Sequence, residues 1–236
     1  PKHGMLIQQY QAGVFQAAID IRQNPKVIEP FARIFEDRAL TSSIDGVAFG
    51  LDPDKTNRGW DGKGWLHLDQ ATKRDGSRSS FECIQSWVTA DEVDEGDATL
   101  RVLVGSHHFH REFSERFGTD NNHDWHMLTP EHEAWYREKG CTTYDIVCPA
   151  GSQVFWDSRT VHSGRAPIRG RKGRRNRYVV YASYLPQSRI TAHNAAKKRR
   201  AIMEGRMTSH WPDARKLFPR NPRIYRRNRS NQPGKI

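Results

Sequence analysis

His67 and Asp69 stand two residues apart in "GWLHLDQ" (64–70), with Trp65, Leu66 and Leu68 around them. Side chains alternate along an extended strand, so this imidazole and carboxylate share one face, roughly 6.5 Å apart at the backbone. They can converge on one metal ion but cannot complete its site. His162, in "FWDSRTVHSGRAP" (155–167), follows an apolar run and precedes a Gly/Pro turn. Two His and one carboxylate on one side of a metal make the facial triad typical of non-heme Fe(II), which leaves three positions open. The His-x-Asp pair alone is a weak signal, because a lone His is usually a hydrogen-bonded core residue. A downstream cation adds to it. Arg177 opens the apolar strand "RYVVYASYLP" (177–186), where a guanidinium can hold a carboxylate bidentately.

Those four residues need elements to hold them. Apolar positions Met5, Leu6, Tyr10, Val14, Phe15, Ala18 and Ile19 predict an amphipathic helix over 5–22. "PKVIEPFARIFED" (25–37) predicts a second, interrupted or restarted around Pro30. Strand patterning begins in "SIDGVAFGL" (43–51). After a polar, breaker-rich loop at 53–64 it continues at 65–70, 81–90, 98–104, 144–148, 152–157 and 177–185. Residues 106–140 interrupt the series as a His-rich, partly helical insert, a candidate lid or substrate loop. Helix returns at 190–205, and an extended basic tail follows from 219. The pattern predicts a mainly β sandwich or barrel flanked by helices. We read one domain over 1–236: a helical flank (1–42), a β core with its insert (43–189), and a basic helical end and tail (190–236).

A chain of 236 residues is long enough to bury one sizeable core. No run approaches the roughly 18 apolar residues of a membrane span, and no charged-then-apolar leader is seen, so a cytoplasmic or nuclear protein is expected. Cys83, Cys141 and Cys148 form no CxxC pair, which fits a reducing compartment better than a disulfide framework or zinc knuckle. Residues 165–236 hold 21 of the 38 Lys and Arg but 2 of the 27 Asp and Glu. Such an end could meet nucleic acid or another anionic partner. Binding to bases would need interleaved aromatics, and 165–177 contains none.

Taken together, these motifs resemble the phytanoyl-CoA dioxygenase-like branch of the Fe(II)/2-oxoglutarate oxygenases. The resemblance is carried by "SIDGVAFG", "WLHLDQ", "FECIQSWVTADEVDEGDATLRVLVGSHHFH" with its GSH turn, "PAGSQVFWDSRTVHSG" and "RYVVYASYLP", and by the end "KKRRAIMEGRMTSHWP". It implies a double-stranded β-helix (a cupin-like jelly roll) with iron at the barrel mouth. His67, Asp69 and His162 fall on the metal positions. Arg177 falls on the position that binds the distal carboxylate of 2-oxoglutarate, with Arg174 and Arg175 as rivals. Relatives often add a hydroxyl two residues after the distal His; here that residue is Gly164, and Ser163 is the nearest substitute. Halogenating relatives lack the carboxylate, so in that family Asp69 implies hydroxylation of a C–H bond, or a dealkylation that begins with one, with release of succinate and CO2.

Further contacts follow from parity. Gln85 and Trp87 share a face of 81–90; Gln85 could contact 2-oxoglutarate or make a cross-strand hydrogen bond, and Trp87 could line the site or pack in the core. Trp65 and Arg159 are further candidates to meet substrate, although Arg159 could instead pair with Asp157. His107, His108 and His110 lack a Cys at ligand spacing and are read as structural. A small molecule is the expected substrate, and the basic end makes an anionic one a candidate. The competing reading is an inactive β-helix protein whose basic end contacts nucleic acid or another anionic partner.

Overall fold

The computed structural model describes residues 6–52, 65–171 and 176–220. The 53–64 loop, Arg174, Arg175 and the tail from 221 lie outside them. Short strands at β1 (Leu6–Ile7), β3 (Val47–Gly50), β5 (Ile84–Thr89), β9 (Gln153–Asp157) and β11 (Arg177–Tyr181) form one sheet, in the order β1-β3-β11-β5-β9. A second sheet runs β7-β4-β10-β6-β8, from His126–Met127, His67–Leu68, His162–Arg165, Thr99–Leu103 and Thr143–Asp145. Every pairing in both sheets is antiparallel. A two-stranded pair, β2 (Leu40–Ser42) with β12 (Tyr184–Pro186), flanks them.

The sheets face each other across Ala48, Trp87, Trp156 and Val179 from the first and Leu100 and Val102 from the second. This double-stranded β-helix is the jelly roll that the family resemblance implied, and it fits the sandwich or barrel expected from the strand pattern. Its helices lie outside. In α2 (Pro25–Phe35), Val27 and Phe31 pack against Ile84, Val88, Phe155 and Tyr184 behind the first sheet. Phe31 is fully buried, so truncating it to Ala would cost about 3–5 kcal/mol. Behind the second sheet lie α3 (His110–Phe117) and α4 (Pro130–Glu138), whose Phe113, Trp135 and Tyr136 meet Leu66, Leu68, Leu103 and Val161. The His-rich insert is thus partly a second wall of the core.

Two helix expectations need correction. Residues 5–22 are not one helix: Leu6 and Ile7 pair with β3, and α1 starts only at Gln16 and ends at Gln23. Tyr10 and Gln11 break the run, with φ of 58° and 60°, a left-handed conformation outside the helical region. In contrast, α2 runs through Pro30 without a restart. Asn24 caps it by accepting from the Lys26 N–H at 2.9 Å, and Pro25 occupies the first turn, where a missing N–H does no harm. Burial of Val27 and Phe31 on either side of Pro30 offsets the one ladder bond that Pro30 removes. The helix expected at 190–205 is α5 (Ala192–Met203).

Candidate metal centre

Strands β4 and β10 are antiparallel neighbours, and His162 sits directly opposite His67. Their ring centroids are 4.4 Å apart. Asp69, just past the end of β4, presents Oδ1 at 3.7 Å from His67 Nε2 and Oδ2 at 3.3 Å from His162 Nε2. One ligand atom from each of the three lies within 4.8 Å of the others, and no other group of three His, Cys, Asp or Glu does so among the described residues. The HxD motif works because its alternate residues go elsewhere: Leu66 and Leu68 are buried in the core behind the sheet.

Backbone carbonyls set the imidazoles. His67 Nδ1 lies 3.0 Å from the Trp65 carbonyl and His162 Nδ1 2.8 Å from the Thr160 carbonyl. With Nδ1–H donating to those oxygens, each Nε2 keeps its lone pair for a metal. Burial, helped by His162, pushes His67 down to about 4, so it is neutral at physiological pH, as a ligand must be. Burial alone would raise the Asp69 carboxyl. The imidazoles of His210, His67 and His162 more than offset that and hold it well below the usual carboxylate range.

Neighbouring side chains lock this arrangement. Gln70 is fully buried; its Nε2 donates to the Arg78 and Ser80 carbonyls, and its Oε1 accepts from Ser158 at 2.7 Å. One amide therefore joins the end of the His67–Asp69 strand to the turn that leads to His162. Ser106 of the GSH turn accepts from the Val161 N–H at 2.9 Å, fixing the backbone just before His162.

Gln85 does reach the centre, donating from Nε2 to Asp69 Oδ2 at 3.1 Å. Trp87, on the same face of β5, lies under Arg177, whose guanidinium carbon is 5.3 Å from the ring centroid. Arg177 is 4% exposed, and its Nε has no hydrogen-bond partner among the described residues. Trp65 stacks on His67 at 4.6 Å and 10° while remaining 39% exposed, so it forms part of the mouth. Ser163 is buried, but successive residues of β10 face opposite ways, so it lies on the face away from His162. Arg159 is occupied by Asp157, with Nη2–Oδ2 at 2.7 Å and Nε–Oδ1 at 3.0 Å, as the pairing alternative expects.

One feature escaped the sequence. His210 lies beside Asp69, with Nδ1 3.7 Å from Oδ2. It is 141 residues further along the chain, and no spacing rule connects them; Met207, Trp211 and Ala214, all fully buried, were the signal that this stretch packs. The 106–140 insert, read from the sequence as a candidate lid or substrate loop, contributes Asn121, His123, Trp125 and Met127 to a cavity of about 510 Å³ that Thr72 and Lys216 also line. The cavity adjoins the centre, because Trp125 lies 6.1 Å from the His67 ring. Two cations of the basic end turn inward. Lys198 donates to Thr41 and to the Ser42 carbonyl, and Arg215 pairs with Asp213 and Glu82, so nucleic-acid binding gains no support here. No described helix is long and apolar enough to cross a membrane.

A 153-residue stretch is 27% identical to Ava biosynthesis cluster protein O of Aspergillus versicolor, covering 61% of this chain and 47% of that one. The chain thus spans about half the length of the curated relative it matches. Among solved structures, the epimerase SnoN in complex with Fe3+, alpha ketoglutarate and nogalamycin RO is 15% identical over 76% of this chain and 62% of that one, with a TM-score of 0.49. The carbocyclase SnoK from nogalamycin biosynthesis is 14% identical over 74% and 61%, with a TM-score of 0.47. The family model for phytanoyl-CoA dioxygenase matches residues 55–176, more than half the chain and including His67, Asp69 and His162. That family uses Fe(II) and 2-oxoglutarate, and the residues present fit both: a two-His, one-carboxylate donor set with its lone pairs free, and a buried guanidinium whose Nε is unpartnered. On the matched sequence, the jelly roll and that donor set, the chain belongs to the phytanoyl-CoA dioxygenase family.

Proposed function

We propose that this protein is an Fe(II)- and 2-oxoglutarate-dependent oxygenase that hydroxylates a C–H bond of a small molecule. His67, Asp69 and His162 would hold the iron, and Arg177 the distal carboxylate of 2-oxoglutarate. Bound together, iron and 2-oxoglutarate supply the oxidising power, with succinate and CO2 as co-products.

The observation that carries this reading is a run of contacts along one strand face. Gln85 touches the Asp69 carboxylate, and Trp87, two residues on, underlies Arg177. Two such positions lie about 6.6 Å apart, a separation that a five-carbon diacid can span. Trp87 holds the guanidinium by its ring face and leaves its N–H edge for an anion. The barrel wall excludes bulk water from that contact, which strengthens it.

The cavity beside His67 suggests the substrate class. Trp125 and Met127 are half exposed there, and Asn121, His123 and Lys216 add polar groups. An apolar, flat molecule bearing an anionic or hydrogen-bonding end would suit that mixture. A buried guanidinium whose Nε has no hydrogen-bond partner among the described residues, beside a complete ligand set, argues against an inert scaffold.

Succinate formation from 2-oxoglutarate with Fe(II) and ascorbate tests the proposal, for the parent and for His67→Ala. We expect succinate from the parent, more of it once a substrate is found, and none from His67→Ala. The product should gain the mass of one oxygen. A product of unchanged mass, or one short of two hydrogens, would replace hydroxylation by another oxidation at the same centre. An iron-loaded parent that makes no succinate with any substrate would sink the reading.

A further inference from the structure

Asp69 is gripped from a direction that neither strand of the metal centre supplies. The segment 207–218 lies against the barrel mouth. The Thr208 N–H donates to the Ile44 carbonyl at 3.0 Å, and the Ile44 N–H donates to Thr208 Oγ1 at 2.9 Å. Trp211 is 1% exposed, and the Arg215 guanidinium lies 3.6 Å above its ring centroid. Arg215 in turn reaches Asp213 at 2.8 Å, Glu82 at 3.3 Å and Asp124 at 3.7 Å. Anchors on both sides thus fix His210, whose side chain is 11% exposed.

That imidazole presents Nδ1 to Asp69 Oδ2 at 3.7 Å. The distance is just beyond a direct hydrogen bond, so with Nδ1 protonated the contact is electrostatic, a ring N–H edge facing a carboxylate. Gln85 Nε2 donates to the same oxygen at 3.1 Å. The His210 Nε2 is buried without a hydrogen-bond partner among the described residues; its ring also lies near enough to Asp45 to act on that carboxyl, but the carboxylate it meets within 4 Å is Asp69.

We propose that His210 is a positioning residue of the metal centre, which with Gln85 holds the Asp69 carboxylate at Oδ2 and fixes its rotation. The consequence is chemical. A carboxylate free to turn can chelate through both oxygens and close a coordination position. One held at a single oxygen binds through one atom and leaves open the positions that the co-substrates need. The C-terminal segment is then part of the active site rather than a basic appendage. This inference rests on Asp69 being a metal ligand.

Co(II) titration of the metal-free full chain tests it, followed by calorimetry and by the visible absorption of the bound ion. His210→Phe keeps a ring against Trp211 and removes both nitrogens. We expect it to bind Co(II) about 10-fold more weakly than the parent, with a shifted absorption band. His210→Asn returns an N–H donor near the position of Nδ1 and should bind within about 3-fold of the parent. Co(II) binding by His210→Phe that equals or exceeds the parent's would overturn the proposal, as would an unshifted band. Should His210→Phe fail to fold by circular dichroism, His210→Leu is compared with His210→Asn, and equal affinity of the two overturns it. A parent that binds no Co(II) would remove the metal centre itself, an outcome distinct from a failure of His210 alone.

Discussion

Arg22 and Arg177 are buried to nearly the same degree, 7% and 4% exposed, in opposite circumstances. Arg22, on α1, donates to three backbone carbonyls: Tyr181 at 2.9 Å, Asp45 at 2.6 Å and Gly13 at 2.5 Å. It ties the helical flank to the first sheet, and each of its three nitrogens has a partner. Arg177 rests on a Trp face with its Nε unpartnered. A buried cation whose nitrogens are all bonded stabilises the fold. One with a donor left open holds a desolvated charge ready for an anion. Burial and charge alone do not separate the two cases; the state of the donors does.

The comparison can be broken at either residue. Arg22→Leu leaves three carbonyls unpaired, and we expect a loss of about 4 kcal/mol, read as a fall in melting temperature of about 10 °C. Arg177→Leu should instead melt at or above the parent's temperature and bind 2-oxoglutarate about 100-fold more weakly in calorimetry with Mn(II). If Arg177→Leu unfolds while Arg22→Leu does not, the division fails.

Lys198 sharpens it as an intermediate. It is buried and bonded to Thr41 and Ser42, yet burial pushes it down to about 8. With the folded-state pKa below the unfolded one, the unfolded chain binds the extra proton between pH 8 and about 10.5, so this group adds stability as pH rises through that window. The gain from pH 7 to pH 9 is on the order of 1 kcal/mol. Lys198→Met should lose that slope in urea titrations at the two pH values, whatever its own baseline. An identical slope in parent and variant would mean that Lys198 stays solvated.

Much of the centre could be read from the sequence because its rules are local. The spacing of His67 and Asp69 fixes their common face, and Arg177 is legible because it opens an apolar strand. Gln85 followed from parity along β5, and its partner turned out to be Asp69 itself. Ser163 shows the limit of the same reasoning, since adjacency to His162 on a strand puts it on the other face. The N-terminus misled for a related reason: the apolar positions of 5–22 fit a helix, but Leu6 and Ile7 are apolar because they add a strand edge to β3. His210 obeys no local rule at all. Its place depends on Trp211 and Arg215 closing against residues far away in the chain, and only the fold brings them together.

The parallel stack of Trp65 on His67 gives the molecule an optical reporter of its own. An open-shell ion held at His67 Nε2 would lie one ring away from an indole, well within the range at which such ions quench fluorescence. Loading the centre should therefore dim Trp65 emission without any label. The chain holds seven Trp, so the signal is the part of the quenching that Trp65→Phe removes. The protein could thus be screened for ligands that reach the mouth, through the light emitted at its rim.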